Sequence, residues 1–260
     1  MYTSIHTDDC KRFFGQDKRM ENGALDKLAT ARFRPKEFLS IGSQLHQILR
    51  AAIIQGDLAP GQAISEIEMS KRFSISRQPV REAFIKLGEE RLIEVLPQRG
   101  TYVRKISVKE VLDARHLREI IELSIVREVT LKHDASLIAA LRQVITQQQQ
   151  VKPGDRRAFL ALDEEFHRTL ALHADREYAW RVTESIKAQM DRVRFLTFDF
   201  ASPIAELTAE HSEIIDAIES DDPDRAADTM QRHLRRILKS LPLIAERYPE
   251  HFVADEPNAT

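Results

Sequence analysis

Ser76-Arg77-Gln78-Pro79-Val80-Arg81-Glu82-Ala83-Phe84, with Leu87 just beyond, decides how this chain folds. Val80, Ala83, Phe84 and Leu87 recur at helical spacing and form one apolar stripe. The stripe leaves Ser76, Arg77, Gln78 and Arg81 near the N-terminal end and facing away from the core, with Arg77 and Arg81 four residues apart on a shared face. Pro79 lies in the first turn, where its missing N–H costs little. Upstream, Glu66 to Phe73 predicts a short helix separated from this one only by a tight connection, which makes the pair a helix-turn-helix candidate. Before it, Ile41, Leu45, Ile48, Leu49, Ala52 and Ile53 share a helical face, with Ser40 as N-cap and Gly56 as the stop, and Asp57 to Gly61 reads as a turn. Downstream, Leu92 to Val103 sets β-branched and aromatic residues on both sides of Pro97 to Gly100. That is a hairpin signal, and a hairpin directly after a recognition helix is a wing.

Such a helix end suits the major groove of double-stranded DNA. Arginine pairs bidentately with guanine O6 and N7, glutamine with adenine N6 and N7, and helix-turn-helix proteins insert this end first. At the hairpin tip Gln98, Arg99 and Gly100 are placed to reach an adjacent groove or phosphate, glycine allowing close backbone approach. Basic residues at this spacing, taken alone, describe a solvated helix face equally well; the ordered set of helix, turn, helix and wing is what favours DNA. Charge agrees. The whole chain is at −2, yet residues 38–106 hold 10 Lys and Arg against 7 Asp and Glu, and residues 107–260 hold 21 against 28. Only the N-terminal half is expected to approach phosphates.

A length of 260 residues suits two domains, and 42% hydrophobic with 31% charged residues is ordinary for a folded soluble protein. No apolar run approaches the ~20 residues of a membrane span, and the first residues lack a signal peptide's apolar core. A soluble protein of the reducing cytoplasm is expected. The single Cys10 forms neither an internal disulfide nor a Cys-rich zinc site and reads as a bystander. Residues 1–37 read as an extension with at most a short helix near Asn22 to Ala31, residues 38–106 as the winged helix-turn-helix, residues 107–250 as a helical domain and residues 251–260 as a tail. No strand is expected beyond Ile106. Six helical patterns run from Ser107 to His133, Ala135 to Gln150, Asp155 to His173, Arg176 to Phe198, Pro203 to Ser220 and Pro223 to Tyr248. Pro203 and Pro223 fall in first turns with Ser202 and Asp222 as caps, and Gln147 to Gln150 reads as a solvated helix end. The fold class is therefore mainly α: an N-terminal winged helix-turn-helix plus a C-terminal all-helical bundle of about six helices.

Ionisable side chains on faces that should be buried mark a second constellation. Asp163 and His167 fall on the stripe of Phe159, Phe166 and Leu170. His211 is surrounded by Ile204, Leu207, Ile214, Ile215 and Ile218, and His233 lies at the edge of the stripe of Met230, Leu234, Ile237, Leu238 and Leu241. A lone inward histidine is more often a satisfied core residue. One carboxylate and three imidazoles on three stripes instead suggest a divalent ion, zinc foremost, with nickel or manganese as alternatives. Arg118, four residues before Glu122 and on a face with Ile121 and Ile125, is the candidate clamp for a small carboxylate, weighed against a surface arginine paired with Glu122. Trp180 and Tyr178 read as core or surface before pocket.

The stretch from Ser76 to Phe84, followed by Leu92-Ile93-Glu94 and Gln98-Arg99-Gly100-Thr101-Tyr102-Val103, resembles the signature of the GntR family of bacterial regulators across residues 40–106. The resemblance implies that Arg77 and Arg81 are the principal DNA-contacting arginines, assisted by Ser76, Gln78, Arg99 and Gly100, in a homodimer on operator DNA. Some members carry an arginine in the preceding helix where this chain has Ile67. Residues 107–248 resemble, with a weaker signal, the FCD ligand-binding domain of the FadR-type branch, whose Asp-x-x-x-His element appears as Asp163 to His167 and whose later histidines appear as His211 and His233. The family's Arg-x-x-x-Glu element falls on Arg118 and Glu122, and six helices look like the VanR-like subgroup.

The expectation is thus a regulator, not an enzyme, whose operator affinity responds to a carboxylate at a metal. Two alternatives use the same cluster: a metal-dependent hydrolase with Glu164 or Glu165 as general base, and a sensor of the metal ion itself. A wing and recognition helix have no use in a hydrolase.

Overall fold

The computed structural model describes residues 39–198 and 203–254. Cys10, the expected short helix near Asn22 to Ala31 and the Ser202 cap lie outside the described residues. The chain divides into two compact units between Arg104 and Lys105.

In the first unit α1 (Ile41–Ile54) starts at Ser40, whose hydroxyl accepts from the Ser43 N–H at 3.1 Å, and ends just before Gly56, at φ +77°. Gly42 rather than Ile41 faces the core, because α1 packs closely on α3: a Cβ at position 42 would lie 2.6 Å from Glu82 Oε2 and 3.2 Å from the Pro79 carbonyl oxygen. Next come α2 (Glu66–Phe73), capped by the Ser65 hydroxyl, and α3 (Arg77–Glu89), joined through Ser74 in the left-handed conformation. The expected stripe of Val80, Ala83, Phe84 and Leu87 is buried. β2 (Ile93–Leu96) and β3 (Gly100–Val103) form the wing, and β3 also pairs with a strand that the sequence does not announce, β1 (Ala63–Ile64), giving the order β1-β3-β2. Two residues carry no readable alternation; β1 exists because the wing offers it an edge, and the Gly61 N–H to Val103 carbonyl bond of 2.8 Å closes that pairing. The tip turns through Gln98 at φ +60° and Gly100 at φ +111°.

The second unit is all-helical apart from one bridge. The first three expected helices form as α4 (Val108–Lys132), α5 (Ala135–Gln149) and α6 (Arg156–His173). The fourth is broken at Lys187 into α7 (Glu177–Ile186) and α8 (Ala188–Thr197), and the sixth at Arg236 into α10 (Pro223–Arg235) and α11 (Ile237–Arg247), with α9 (Ile204–Glu219) between. At the second break Arg236 N–H bonds to His233 and Lys239 N–H to Arg236, the tighter i to i−3 pattern, and Pro242 within α11 has no N–H to give. Pro203 itself occupies the cap position of α9, while Asp222 caps α10 as expected, with Pro223 opening the helix. α10 lies along α4, α9 packs on α10 and α5, and α5 on α6, around a core that includes Val126, Leu141, Phe166, Ile214 and Met230. Beyond α11, Phe252 is buried, and its neighbours bridge in parallel to Ile106: Ile106 N–H donates to the His251 carbonyl at 2.8 Å and Val253 N–H to the Ile106 carbonyl at 2.9 Å.

Candidate DNA-reading surface and metal centre

Ser76, Arg77, Gln78 and Arg81 are all exposed at the start of α3, as are Arg99 and Gly100 on the wing. Ser76 occupies the N-cap without a side-chain bond, so its hydroxyl is left for another partner. Arg77 reaches back to Glu66 at the start of α2, 3.2 Å away, and Gln78 Nε2 donates to Glu82 at 3.2 Å. Ile67 is exposed and apolar. Behind this face Glu90 is held by His46 at 2.7 Å and Arg50 at 2.8 Å. Burial would raise its carboxyl, but the hydrogen bond with His46 and the charge of Arg50 hold it below its ordinary value.

In the second unit the structure brings Asp163, His167, His211 and His233 together, with one ligand atom from each lying within 4.8 Å of the others, and all four are buried. They come from α6, α9 and α10, packed around one point. His211 Nε2 is 3.3 Å from His233 Nε2 and 3.6 Å from Asp163 Oδ1. Phe166 stacks on the His211 ring at 4.2 Å.

The second nitrogen of each imidazole faces an acceptor. His167 Nδ1 lies 2.6 Å from Glu122 Oε2, His211 Nδ1 bonds to Gln148 Oε1 at 3.0 Å, and His233 Nδ1 bonds to Glu210 Oε2 at 2.9 Å. Carboxylate and amide oxygens only accept, so His211 and His233 carry the hydrogen on Nδ1 and present a lone pair on Nε2. By hydrogen-bond geometry both ring nitrogens of His167 and both carboxylate oxygens of Asp163 are buried without a partner among the described residues. Inward lone pairs beside a buried carboxylate lack a cation, and the donor set is one that divalent metals take. Burial pushes the His167 imidazole down to about 4 against the pull of Glu122, and with His233 it pushes His211 well below its ordinary value. Both rings are in the neutral, metal-binding form near pH 7.

Arg118 is buried, not a surface residue, and is paired with Glu122. Two further arginines escaped the sequence reading. Arg194 Nη2 on α8 lies 2.5 Å from Asp163 Oδ1, and Arg236 Nη1 lies 2.6 Å from Glu210 Oε1. Burial alone would raise the Asp163 carboxyl; Arg194, then His167 and His211, hold it well below its usual range. Arg118, Arg194 and Arg236 line one cavity of about 30 Å³ together with His233, Thr197 and Ser240. Each therefore backs a carboxylate that either belongs to the cluster or holds one of its histidines. Arg194 was legible in principle, since Met190, Val193, Arg194 and Thr197 keep helical spacing. Glu164 pairs with Lys187 at 3.5 Å and Glu165 with Arg168 at 3.5 Å, which engages both candidate general bases elsewhere. Trp180 belongs to the core and Tyr178 is exposed.

A winged helix-turn-helix followed by a helical domain with a buried polar cluster defines the class of two-part, DNA-binding transcription regulators. Residues 41–103 match the bacterial regulatory proteins of the gntR family and residues 113–236 match the FCD domain, and the chain belongs to this GntR family with an FCD domain, a family of regulators rather than enzymes. It is 38% identical over 213 residues to the HTH-type transcriptional repressor RspR of Escherichia coli (strain K12), covering 82% of this chain and 93% of that one. It is 33% identical over 207 residues to an uncharacterised HTH-type transcriptional regulator in an unstable DNA locus of Streptomyces ambofaciens, covering 80% and 87%. Among solved structures E. coli McbR/YncC shares the fold with a TM-score of 0.69 at 16% identity, over 81% of this chain and all of that one. A GntR regulator from Rhodococcus sp. RHA1 does so at 0.65 and 24%, over 78% and 98%. No described helix is long and apolar enough to cross a membrane.

Proposed function

We propose that the chain is a cytoplasmic, homodimeric repressor that reads operator DNA with residues 38–106 and senses a small carboxylate at a metal held in residues 107–250. Ser76, Arg77, Gln78 and Arg81 read the major groove while Arg99 and Gly100 engage the flanking groove or backbone. RspR, 38% identical, bears the name of a repressor, which supports that sign of regulation. Asp163, His167, His211 and His233 hold the ion, zinc foremost, with nickel or manganese as the other candidates. The bound ion supplies a Lewis-acidic position that a carboxylate fills. Arg118 clamps the far end of that carboxylate, with Arg194 and Arg236 in the same cavity. Six helical rods, two of them broken once, favour the VanR-like subgroup.

The convergence of four buried ligand groups, with the Nε2 lone pairs of His211 and His233 set by acceptors on Nδ1, carries this reading. Its test is elemental analysis of the purified protein beside His211→Ala and His233→Ala. About one divalent ion per chain is expected in the wild type and none in either variant, with lower thermal stability, since a ligand bound only by the native state stabilises it. Stoichiometric metal in both variants would reject these ligands.

A further inference from the structure

We propose that Gln148 is a positioning residue for the metal site, fixing His211 in the Nδ1–H tautomer so that its Nε2 faces the ion; this rests on the metal reading given above. Gln148 belongs to the run Gln147 to Gln150 at the end of α5, which looks like a solvated tract. Gln147, Gln149 and Gln150 are exposed as that appearance suggests, but Gln148 is 1% exposed. The stripe of Leu141, Val144 and Ile145 continues at helical spacing into position 148 and takes the side chain inside.

There the amide makes two bonds of opposite sense. Nε2 donates to the Leu162 carbonyl at 3.3 Å, and Oε1 accepts from His211 Nδ1 at 3.0 Å. A carbonyl oxygen cannot face the amide oxygen, so the Leu162 bond settles which way round the amide sits. With Oε1 toward the ring, the one hydrogen of the neutral imidazole is on Nδ1, and Nε2 points its lone pair toward His233 Nε2 at 3.3 Å and Asp163 Oδ1 at 3.6 Å. Stacking on Phe166 fixes the plane of the His211 ring but cannot choose which nitrogen carries the hydrogen. Leu162 also precedes Asp163, so one glutamine ties a cluster histidine to the backbone beside the cluster carboxylate. The other two holders, Glu122 and Glu210, are carboxylates backed by Arg118 and Arg236. Gln148 performs the same orienting task as a neutral group.

The experiment is ring-nitrogen NMR of the zinc-free protein with 15N-labelled histidine, combined with zinc affinity measured by competition with a chromophoric chelator. The variants are Gln148→Met, of similar length without a comparable acceptor, Gln148→Glu, which keeps one, and Gln147→Met as the exposed control. His211 is expected as Nδ1–H in the wild type, in Gln148→Glu and in Gln147→Met, and as Nε2–H in Gln148→Met, where zinc binding weakens roughly 10- to 100-fold. A Gln148→Met protein that keeps Nδ1–H and wild-type zinc affinity overturns the assignment. If that variant does not fold, Gln148→Glu decides: Nδ1–H with zinc held supports the role, and Nε2–H contradicts it. A wild type that takes up no zinc refutes the metal reading instead, while the tautomer in zinc-free protein still decides the role of Gln148.

Discussion

Arg77 and Arg81 differ in their surroundings although they share a helix face. Arg77 is drawn toward Glu66, an exposed pair that contributes little stability by itself. Replacing either arginine with alanine is expected to cost on the order of 1–3 kcal/mol on operator DNA and to relax specificity, as measured by anisotropy on a site selected from random-sequence DNA. Unchanged operator affinity in both variants would remove them from the reading surface. Glu90 has a structural role with a definite pH signature. Its folded carboxyl titrates below its unfolded value, so its stabilisation is present above about pH 4.5 and is lost as pH falls through the folded pKa. Glu90→Gln should therefore destabilise the winged unit by about 1–3 kcal/mol at pH 7 in urea titrations, with the difference from wild type shrinking on acidification below pH 4.5. A difference that does not vary with pH would show that shape, not charge, is what Glu90 supplies.

At the scale of elements, periodicity was sufficient wherever a helix buries one clean stripe: α3 and α6 follow the expected stripes, α1 does so except at Ile41, and α1, α2, α3, α5 and α6 end within a residue or two of expectation. It failed at β1, too short for alternation, and at Lys187 and Arg236, where the apolar pattern runs on across a break made by backbone geometry. It also failed for Gln148, hidden in a polar run, and for Arg236, while Arg194 kept helical spacing but went unread, since a long cation on a helix reads as surface until its carboxylate partner from another helix is known. The Asp163 and histidine cluster was legible because polar residues stood out among apolar ones. Two glycines test the packing of elements. Gly42→Ala forces a Cβ against Glu82 and the Pro79 carbonyl and should lower stability by about 1–3 kcal/mol. Gly88→Ala, in the last turn of α3 with nothing within 4 Å, should leave stability unchanged or raise it by up to about 1 kcal/mol. Thermal melts of the two variants moving in the same direction would contradict the close approach of α1 and α3.

For the whole molecule the proposed function requires that a buried site change DNA affinity. An effector does so only if it binds the DNA-competent and incompetent arrangements unequally. Arg118 belongs to α4, which begins at Val108, four residues after the boundary between the two units, so a ligand that repositions Arg118 acts on the helix that leads from the DNA-reading half. Each cavity arginine also backs a carboxylate of the cluster or of its histidine holders, so under the proposed function an anion drawing on those arginines and a metal on the cluster would influence each other reciprocally. The direct test is a titration of selected operator DNA by zinc-loaded wild type and zinc-loaded Arg118→Ala across a panel of small mono- and dicarboxylates. At least one carboxylate should shift the operator affinity of the wild type by roughly 5- to 150-fold, while Arg118→Ala binds operator normally without it and responds weakly or not at all. No response to any carboxylate in the wild type, or an equal response in both proteins, would contradict the account.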